Sequence, residues 1–580
     1  MREPRVIVLV GVLLALATLP YTNALSAGFT LDDEAVIRKN AVVTDGIDPI
    51  GALATPVSPG DLYRPLTVLT FAINEALTPG AALPYHLVNL VMHTLVTLLV
   101  FVAARRLFES ARLAFVAASL FAVHPIHTEA VTSVVGRAEL LAALFGLVAM
   151  LAAERVDSAG GRTRRVLLQA TSIGAFVLAV LSKESALTVV ALMPLFRIAC
   201  RREPLGAGLR RELYSLDWVP YAACAAVFFT ARLCVLGTVT PYTVRPLENV
   251  LAFVPWTARV PSALGVLWDY FGLLNVPLVL AADYSYGQVG VVSWWHPRAL
   301  GGLALVVLAA GTLVRHRQPA VGFAAVFPLL ALALTANVFF PIGTIKAERL
   351  LYLPSVGYVL LMAYAIDRLL AVERYRVVAT AAVVGVLVAF GARVWDRNRD
   401  WQDNTTLGHS MAWTAPDSAK SRYNFGAVLQ DVDNAAAARE FHRALELYPA
   451  MEDAAIGIGL VHEKRGAVDA ALAWYRRALE IAPACGQAHT NVCRLLLKTN
   501  QFEAAVAACR RGLRYHPADA NLLAGLGHGL VGAGLRDEGL AVFQRSLALN
   551  SDNPSLRTYL ARLGTGQGEN AVRDEVVTLQ

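Results

Sequence analysis

The stretch VIVLVGVLLALATLPYTNALSAGFTLDDE, residues 6–34, sets the class of the chain. Val6 to Leu25 is apolar almost throughout and as long as a bilayer core requires. Arg2 and Arg5 give it the charged start of a signal peptide, but the apolar run is long and no small-x-small cleavage site follows, so a retained signal-anchor helix is expected. Asp32, Asp33 and Glu34 come within a few residues of its end. Adjacent carboxylates are ordinary in a soluble loop. At a bilayer surface, between membrane helices, they point to a polar site.

The rest of the composition agrees with a membrane protein. Of 580 residues, 56% are hydrophobic and 16% charged, against about 25% charged in a soluble domain. The net charge of +7 is no nucleic-acid signal, because the arginines cluster between apolar runs, as membrane orientation produces. There is no Walker A loop and no dinucleotide fingerprint. The six cysteines show no CxxC or zinc spacing, so no metal site is expected, although a divalent ion stays open. Cys200, Cys224 and Cys234 are expected simply to pack.

Eleven candidate spans lie near 5–24, 83–104, 111–126, 136–154, 166–182, 185–200, 216–236, 299–314, 320–338, 350–371 and 376–394. Every second connection is basic, as at Arg105–Arg106, Arg162–Arg165, Arg201–Arg202, Arg315–Arg317 and Arg374–Arg376. Basic connections are cytoplasmic. The N-terminus is then inside, and everything after residue 394 is outside. Residues 256–282 would break this alternation if they crossed, so a re-entrant or interfacial helix is expected there, and 64–78 is expected to lie flat.

After Trp395 the chain changes character, and 401–417 reads as a linker. From about 418 a period of 34 appears: Pro449, Pro483 and Pro517 keep it, as do Ala437, Ala471, Ala505 and Gly539, and Phe441, Tyr475, Cys509 and Phe543. Small residues at fixed places in two antiparallel helices, closed by proline, make the tetratricopeptide repeat pattern, here in about four copies over 418–563. The expected fold class is therefore all-α, a polytopic membrane helix bundle (1–400) followed by an α-solenoid. Such a solenoid has a groove that binds extended chains. Cys493 and Cys509 fall at packing positions of the third repeat, where two small buried residues are the favoured reading and a disulfide the other. Residues 564–580 read as a flexible tail.

The connections on the outer side carry acids and bases together. They include Asp32–Glu34, Arg64, His124, His127, Glu129, Lys183, Glu184, Asp283, Tyr284, Lys346, Glu348 and Arg349, with Arg137 and Glu139 at the start of a span. Glycosyl transfer from a phosphate-linked sugar needs a carboxylate to take the acceptor proton, cations to hold the departing phosphate and an apolar route for a lipid tail. Asp32 and Asp33 suit the first need, and Arg64, Arg137, Lys183, Lys346 and Arg349 the second. Each has a plainer alternative. His124 and His127 could ligate a metal with Glu129 or close a polar helix end, Lys183–Glu184 and Glu348–Arg349 could be local ion pairs, Glu139 could be a first-turn acid, and Tyr284 could belong to an interface belt.

Long blocks of the sequence carry a further signal: LDDEAVIRKN (31–40), YRPLTVLTFAINEAL (63–77), YHLVNLVMHTLVTLLVF (85–101), HPIHTEAVTSVVGRAELLA (124–142), LSKESALT (181–188), DYSY (283–286) and ERLLYLPSVGY (348–358), followed by the repeats. In this order they resemble the transmembrane and tetratricopeptide repeat-containing O-mannosyltransferases, in a bacterial-type version. The resemblance implies a GT-C-type membrane glycosyltransferase using a polyprenyl- or dolichyl-phosphate sugar and a protein Ser or Thr, with Asp32 as base and Asp33 as its neighbour. It also implies an acceptor polypeptide in the repeat groove. Mannose or another hexose is the expected sugar, and a bacterial inner membrane the expected location. The alternative is a non-catalytic, membrane-anchored repeat scaffold.

Overall fold

The computed structural model describes residues 3–57, 62–238, 244–550 and 553–564. The expected tail lies, after Gly564, outside the described residues. Among these residues the only β pairing is one isolated bridge, Val57–Leu62, and the rest is helix and connection. The chain divides into two compact units, Met1–Asp417 and Ser418–Gln580.

The principal helices of the first unit are α1 (Glu3–Thr18), α2 (Pro65–Leu77), α3 (Ala82–Phe108), α4 (Ala111–Ala122), α5 (Arg137–Arg155), α6 (Arg162–Ser182), α7 (Val189–Arg201), α8 (Val219–Leu236), α9 (Trp256–Asn275), α10 (Pro297–Arg315), α11 (Pro319–Leu332), α12 (Ser355–Leu370), α13 (Glu373–Asp400) and α14 (Asn404–Thr414). Their ends follow local chemistry. Proline opens α2, α10 and α11, where its missing N–H costs nothing. Ser110 caps α4 by accepting the Leu113 N–H at 3.2 Å, and Gly237 ends α8 in the left-handed region.

Among the described residues, seven segments are long and apolar enough to cross a bilayer: Ile7–Ser26, Ala82–Phe108, Val134–Arg155, Arg162–Ser182, Val219–Leu236, Pro297–Arg315 and Glu373–Asp400. The other four expected spans are interrupted or short. The 111–126 candidate is α4 followed by Pro125–Thr132, bent by 50°. Residues 185–200 split into a 3-10 turn and the 13-residue α7, and 320–338 and 350–371 contain the 14-residue α11 and 16-residue α12. Apolar composition alone does not reveal where Pro125 and the polar turns stop a helix. Residues 256–282 hold the 20-residue α9, which packs along α10.

The core between α3, α4, α5, α6, α7, α11 and α12 is rich in alanine, including Ala103, Ala104, Ala114, Ala117, Ala118, Ala142 and Ala143. In lipid, helices associate by close packing rather than by the hydrophobic effect, and small side chains permit it. At Gly302 of α10 the Leu264 carbonyl of α9 sits where a Cβ would go. The outside of α13 is apolar instead, with Val377 79% and Val378 71% exposed, as a lipid-facing surface would be.

Residues 401–417 are not a linker. Asp403 and Thr406 form a capping box, which starts α14, and Leu407 and Met411 are buried with Trp401 against Leu31 and Ala282. The polar composition that suggests a linker in fact supplies a helix start.

The second unit is four helix pairs, Ala419–Leu429 with Asn434–Leu447, Glu452–Lys464 with Val468–Ile481, Gly486–Lys498 with Phe502–Tyr515, and Ala520–Gly532 with Arg536–Leu549, then Pro554–Gly564. A glycine meets an aromatic ring inside three pairs: Gly426 on Phe441, Gly459 on Tyr475 and Gly527 on Phe543. The third pair has Cys493 and Cys509 at these two places, and they form a disulfide with Cα atoms 5.3 Å apart. The favoured reading of two free buried cysteines is thus corrected. The ring and the glycine are replaced together, and the sulfur bridge fills the gap left by the missing ring.

Candidate functional site

The acidic stretch is a strained and braced loop. Leu31 has φ 45°, a left-handed conformation that costs a non-glycine residue about 1–2 kcal/mol. Its N–H donates to Asn404 Oδ1 at 2.8 Å, and the Gly28 N–H donates to the Gln402 carbonyl at 2.8 Å. Asn398 Nδ2 donates to the Pro20 carbonyl and to Asn23 Oδ1. The end of α13 and the start of α14 therefore clamp residues 20–31.

The two aspartates separate completely. Asp33 is sealed from solvent; it accepts the Thr30 N–H at 2.9 Å and the Val135 N–H at 3.0 Å. Burial pushes its carboxyl up to about 7, against those two bonds and with a small addition from Asp32. Asp32 is exposed. Glu34 turns away to Arg38 and Lys39, at 3.1 and 3.8 Å.

Groups far apart in sequence gather around Arg349, and Asp32 faces that residue. The Asp32 charge acts on Arg349, behind that of Glu129. Glu129, buried, pairs with Arg349 Nη1 and accepts the Arg349 backbone N–H at 2.8 Å. Arg64 donates to both oxygens of Glu184, from Nε at 3.2 Å and Nη2 at 2.8 Å. Lys183 pairs with Glu139, both buried. Thr67 Oγ1 donates to the Ser182 carbonyl at 3.0 Å, which fixes α2 on the end of α6. Although burial opposes it, Arg64 and then Lys183 hold the Glu184 carboxyl down at about 2. The sequence neighbours Lys183–Glu184 and Glu348–Arg349 are not local pairs; each member reaches a different segment.

An adjoining group surrounds Glu348, which is fully buried. It accepts the Ala281 N–H at 2.6 Å and the Tyr284 hydroxyl at 2.7 Å, with Arg397 at 4.0 Å. Arg397 also pairs with Asp400 at 2.6 Å. Lys346 lies 4.4 Å over the Tyr284 ring and 3.9 Å from Asp269, which Arg298 holds through two nitrogens. Tyr284 is thus a half-buried hydrogen-bond partner of Glu348 rather than part of an interface belt.

Other expected site residues serve the scaffold. His124 Nε2 lies 3.0 Å from the Leu274 carbonyl, and its Nδ1 accepts the Ile126 N–H. His127 Nε2 is 2.8 Å from Ser355 Oγ. With Glu129 committed to Arg349, the two histidines and Glu129 do not form a ligand set. Arg137 is also structural: it is sealed, donates to Asn89, Asn74 and the Tyr85 carbonyl, and lies 4.7 Å over Phe71. Asp283 accepts the Ser285 hydroxyl at 2.7 Å and shapes its own turn.

With this geometry in hand, the likeness to known proteins is specific. Tetratricopeptide repeat models match residues 429–484 and 463–528. Over 469 residues the chain is 28% identical to a protein O-mannosyl-transferase of Caenorhabditis elegans, across 76% of this chain and 63% of that one. It is 32% identical over 438 residues to the protein O-mannosyl-transferase TMTC1 of Homo sapiens, across 68% of this chain and 49% of that one. The chain is a homologue of the TMTC protein O-mannosyl-transferases. It covers 50% of another, TMTC3 of Homo sapiens, at 29% identity, so it spans about half the length of these human relatives. Among solved structures it is similar to MamA, at 16% identity over 27% of this chain and 85% of that one, and to YrrB, a TPR protein with an unusual peptide-binding site, at 19% over 30% and 92%, each with a TM-score of 0.24. This TMTC homologue is a multi-pass membrane protein with tetratricopeptide repeats.

Sequence reading missed Arg397, Asn404, Asp269, Arg298 and Arg232. The first two stand in WDRNRDWQDN, 395–404. That run has charges of both signs directly after a span, the same signature that marks the other polar connections.

Proposed function

We propose that this TMTC homologue transfers a hexose, mannose by the naming of its relatives, from a polyprenyl-phosphate donor to Ser or Thr hydroxyls of extracytoplasmic proteins. The observation that carries the proposal is Asp32: an exposed carboxylate on a braced loop, whose charge reaches the paired cation Arg349, next to which stands the paired Arg64. In an inverting transfer the acceptor oxygen forms a bond to the anomeric carbon while the bond from that carbon to the phosphate oxygen breaks. Asp32 takes the hydroxyl proton, and the phosphate leaves with the electron pair. Asp33 keeps the loop in shape. Glu129 holds Arg349 through Nη1, which leaves its other donors for phosphate, and Glu184 does the same for Arg64. The Lys183–Glu139 pair stands close enough for its charges to act on Arg64.

The repeats would hold the acceptor. An orientation with the N-terminus in the cytoplasm, and with the acidic loop and repeats outside, is supported by the basic connections. The Cys493–Cys509 disulfide supports it too, since such bonds persist in oxidising compartments. The proposed setting is a bacterial inner membrane. Glycoproteomics of extracytoplasmic proteins tests the reading. Hexose on Ser or Thr is expected with wild-type protein and is lost with Asp32→Ala. An unchanged glycan profile on removal of the protein would favour the scaffold alternative and sink the enzyme.

A further inference from the structure

Arg64, Lys183 and Arg349 each have a carboxylate partner. One cation nearby does not. Arg232, on α8, is only 3% exposed, makes no hydrogen bond or ion pair among the described residues, and has its Nη1 sealed from solvent without a partner. An unpaired guanidinium inside a membrane protein is expensive and marks function.

Its position follows from packing. The Tyr221 hydroxyl of α8 and Ser172 Oγ of α6 are 2.6 Å apart. Arg232 lies eleven residues beyond Tyr221, and Lys183 eleven beyond Ser172, each about 16 Å along its helix at 1.5 Å per residue. The two helices run the same way, because Phe228, farther along α8, meets the Tyr63 ring at 5.8 Å between centroids, and Tyr63 adjoins Arg64, which is bonded to Glu184 beyond the end of α6. Arg232 is one turn on from Phe228 and on the same face. It therefore stands level with Lys183–Glu184, and the charges that act on it are those of Glu184 and Arg64.

Resting on the donor reading above, we propose that Arg232 binds the phosphate of the lipid-linked donor from within the bundle, with Arg64 beside it. A lipid phosphate satisfies both requirements of this place. The anion supplies the missing partner, and the polyprenyl tail stays among apolar helices. Arg349 would meet the same phosphate from the side of Asp32.

The test uses purified full-length protein in nanodiscs, with thermal midpoint read against a short-chain polyprenyl phosphate and, separately, inorganic phosphate. Wild type is expected to be stabilised by the polyprenyl phosphate and not by inorganic phosphate at the same concentration. Arg232→Gln should lose this shift while its midpoint without ligand equals or exceeds that of wild type, since an unpaired buried charge is removed. Arg232→Lys should keep part of the shift. In transfer assays Arg232→Gln should raise the donor KM about tenfold or more, the loss of one charge-assisted contact, with the acceptor KM unchanged.

An undiminished shift in Arg232→Gln overturns the proposal. A large drop in its ligand-free midpoint also overturns it, because that is the mark of a structural arginine. A full shift from inorganic phosphate would overturn the lipid assignment. Failure here is separable from failure of the transfer reading. Lost binding in Arg232→Gln with a glycan profile that is unchanged on removal of the protein refutes only the transfer, and normal binding in Arg232→Gln with transfer abolished by Asp32→Ala refutes only the role of Arg232.

Discussion

Replacing the two adjacent aspartates one at a time should separate chemistry from architecture. Asp33→Ala removes the acceptor of two N–H groups, from Thr30 and Val135. A buried donor left unsatisfied costs about 1–3 kcal/mol, so the loss is roughly 2–6 kcal/mol. The pH of the measurement matters, because Asp33 is sealed and its carboxyl is held up to about 7. Above that value the mutation also removes a buried charge, a gain that offsets the lost bonds. At pH 5.5 the carboxyl is protonated in the folded protein, no charge is relieved, and the full loss should appear as a lower thermal midpoint in detergent. Asp32→Ala touches an exposed side chain and should change stability by less than about 0.5 kcal/mol. Its transfer rate to an acceptor peptide should nevertheless fall about 10²–10⁴-fold, the range for loss of a general base. The reasoning is refuted if Asp32→Ala transfers at the wild-type rate, or if its midpoint falls as far as that of Asp33→Ala.

Stability should also depend on pH through Asp33. Its folded value near 7 against about 4 in an unfolded chain means that folding takes up a proton. The contribution of about 4 kcal/mol is whole below pH 4 and is lost as pH rises through 7; a midpoint that rises over that range in wild type, or falls as steeply in Asp33→Asn, contradicts this. Asn404→Ala takes away the acceptor of the Leu31 N–H and should release the strained loop. Stability then falls by about 1 kcal/mol while transfer falls at least about tenfold with an unchanged pH profile, which kinetics on the purified variant would check. In the repeats, Cys493→Ser should lower stability by about 3 kcal/mol under oxidising conditions, the value for closing a loop of this size. The pair Cys493→Gly with Cys509→Phe should recover much of that loss even under reducing conditions, as chemical denaturation would show.

Much of this protein is legible without coordinates, because membrane helices and repeats are written in local composition. A segment such as Ala82–Phe108 is apolar enough to declare itself, and a 34-residue period of prolines and small residues needs no partner to be seen. Spans interrupted by Pro125 or by the 184–188 turn were harder to delimit, since hydropathy averages across a break. The candidate site was legible as a set of polar connections but not as a set of contacts. Arg137 and Lys183 look alike in sequence, yet one is consumed by Asn89, Asn74 and Tyr85 and the other pairs with Glu139 beside the site.

The sequence by itself determined the all-α class, the membrane half and the repeats, and it singled out Asp32–Glu34 as polar residues beside a span. Only tertiary structure decided that Asp33 is a sealed brace and Asp32 the open carboxylate, that Glu129 belongs to Arg349 and Glu184 to Arg64, and that Arg232 has no partner among the described residues. The reason is physical. Hydropathy and periodicity are sums over neighbouring residues, whereas burial and polar pairing depend on groups brought together from 44 to 378 residues apart, and no local sum contains them.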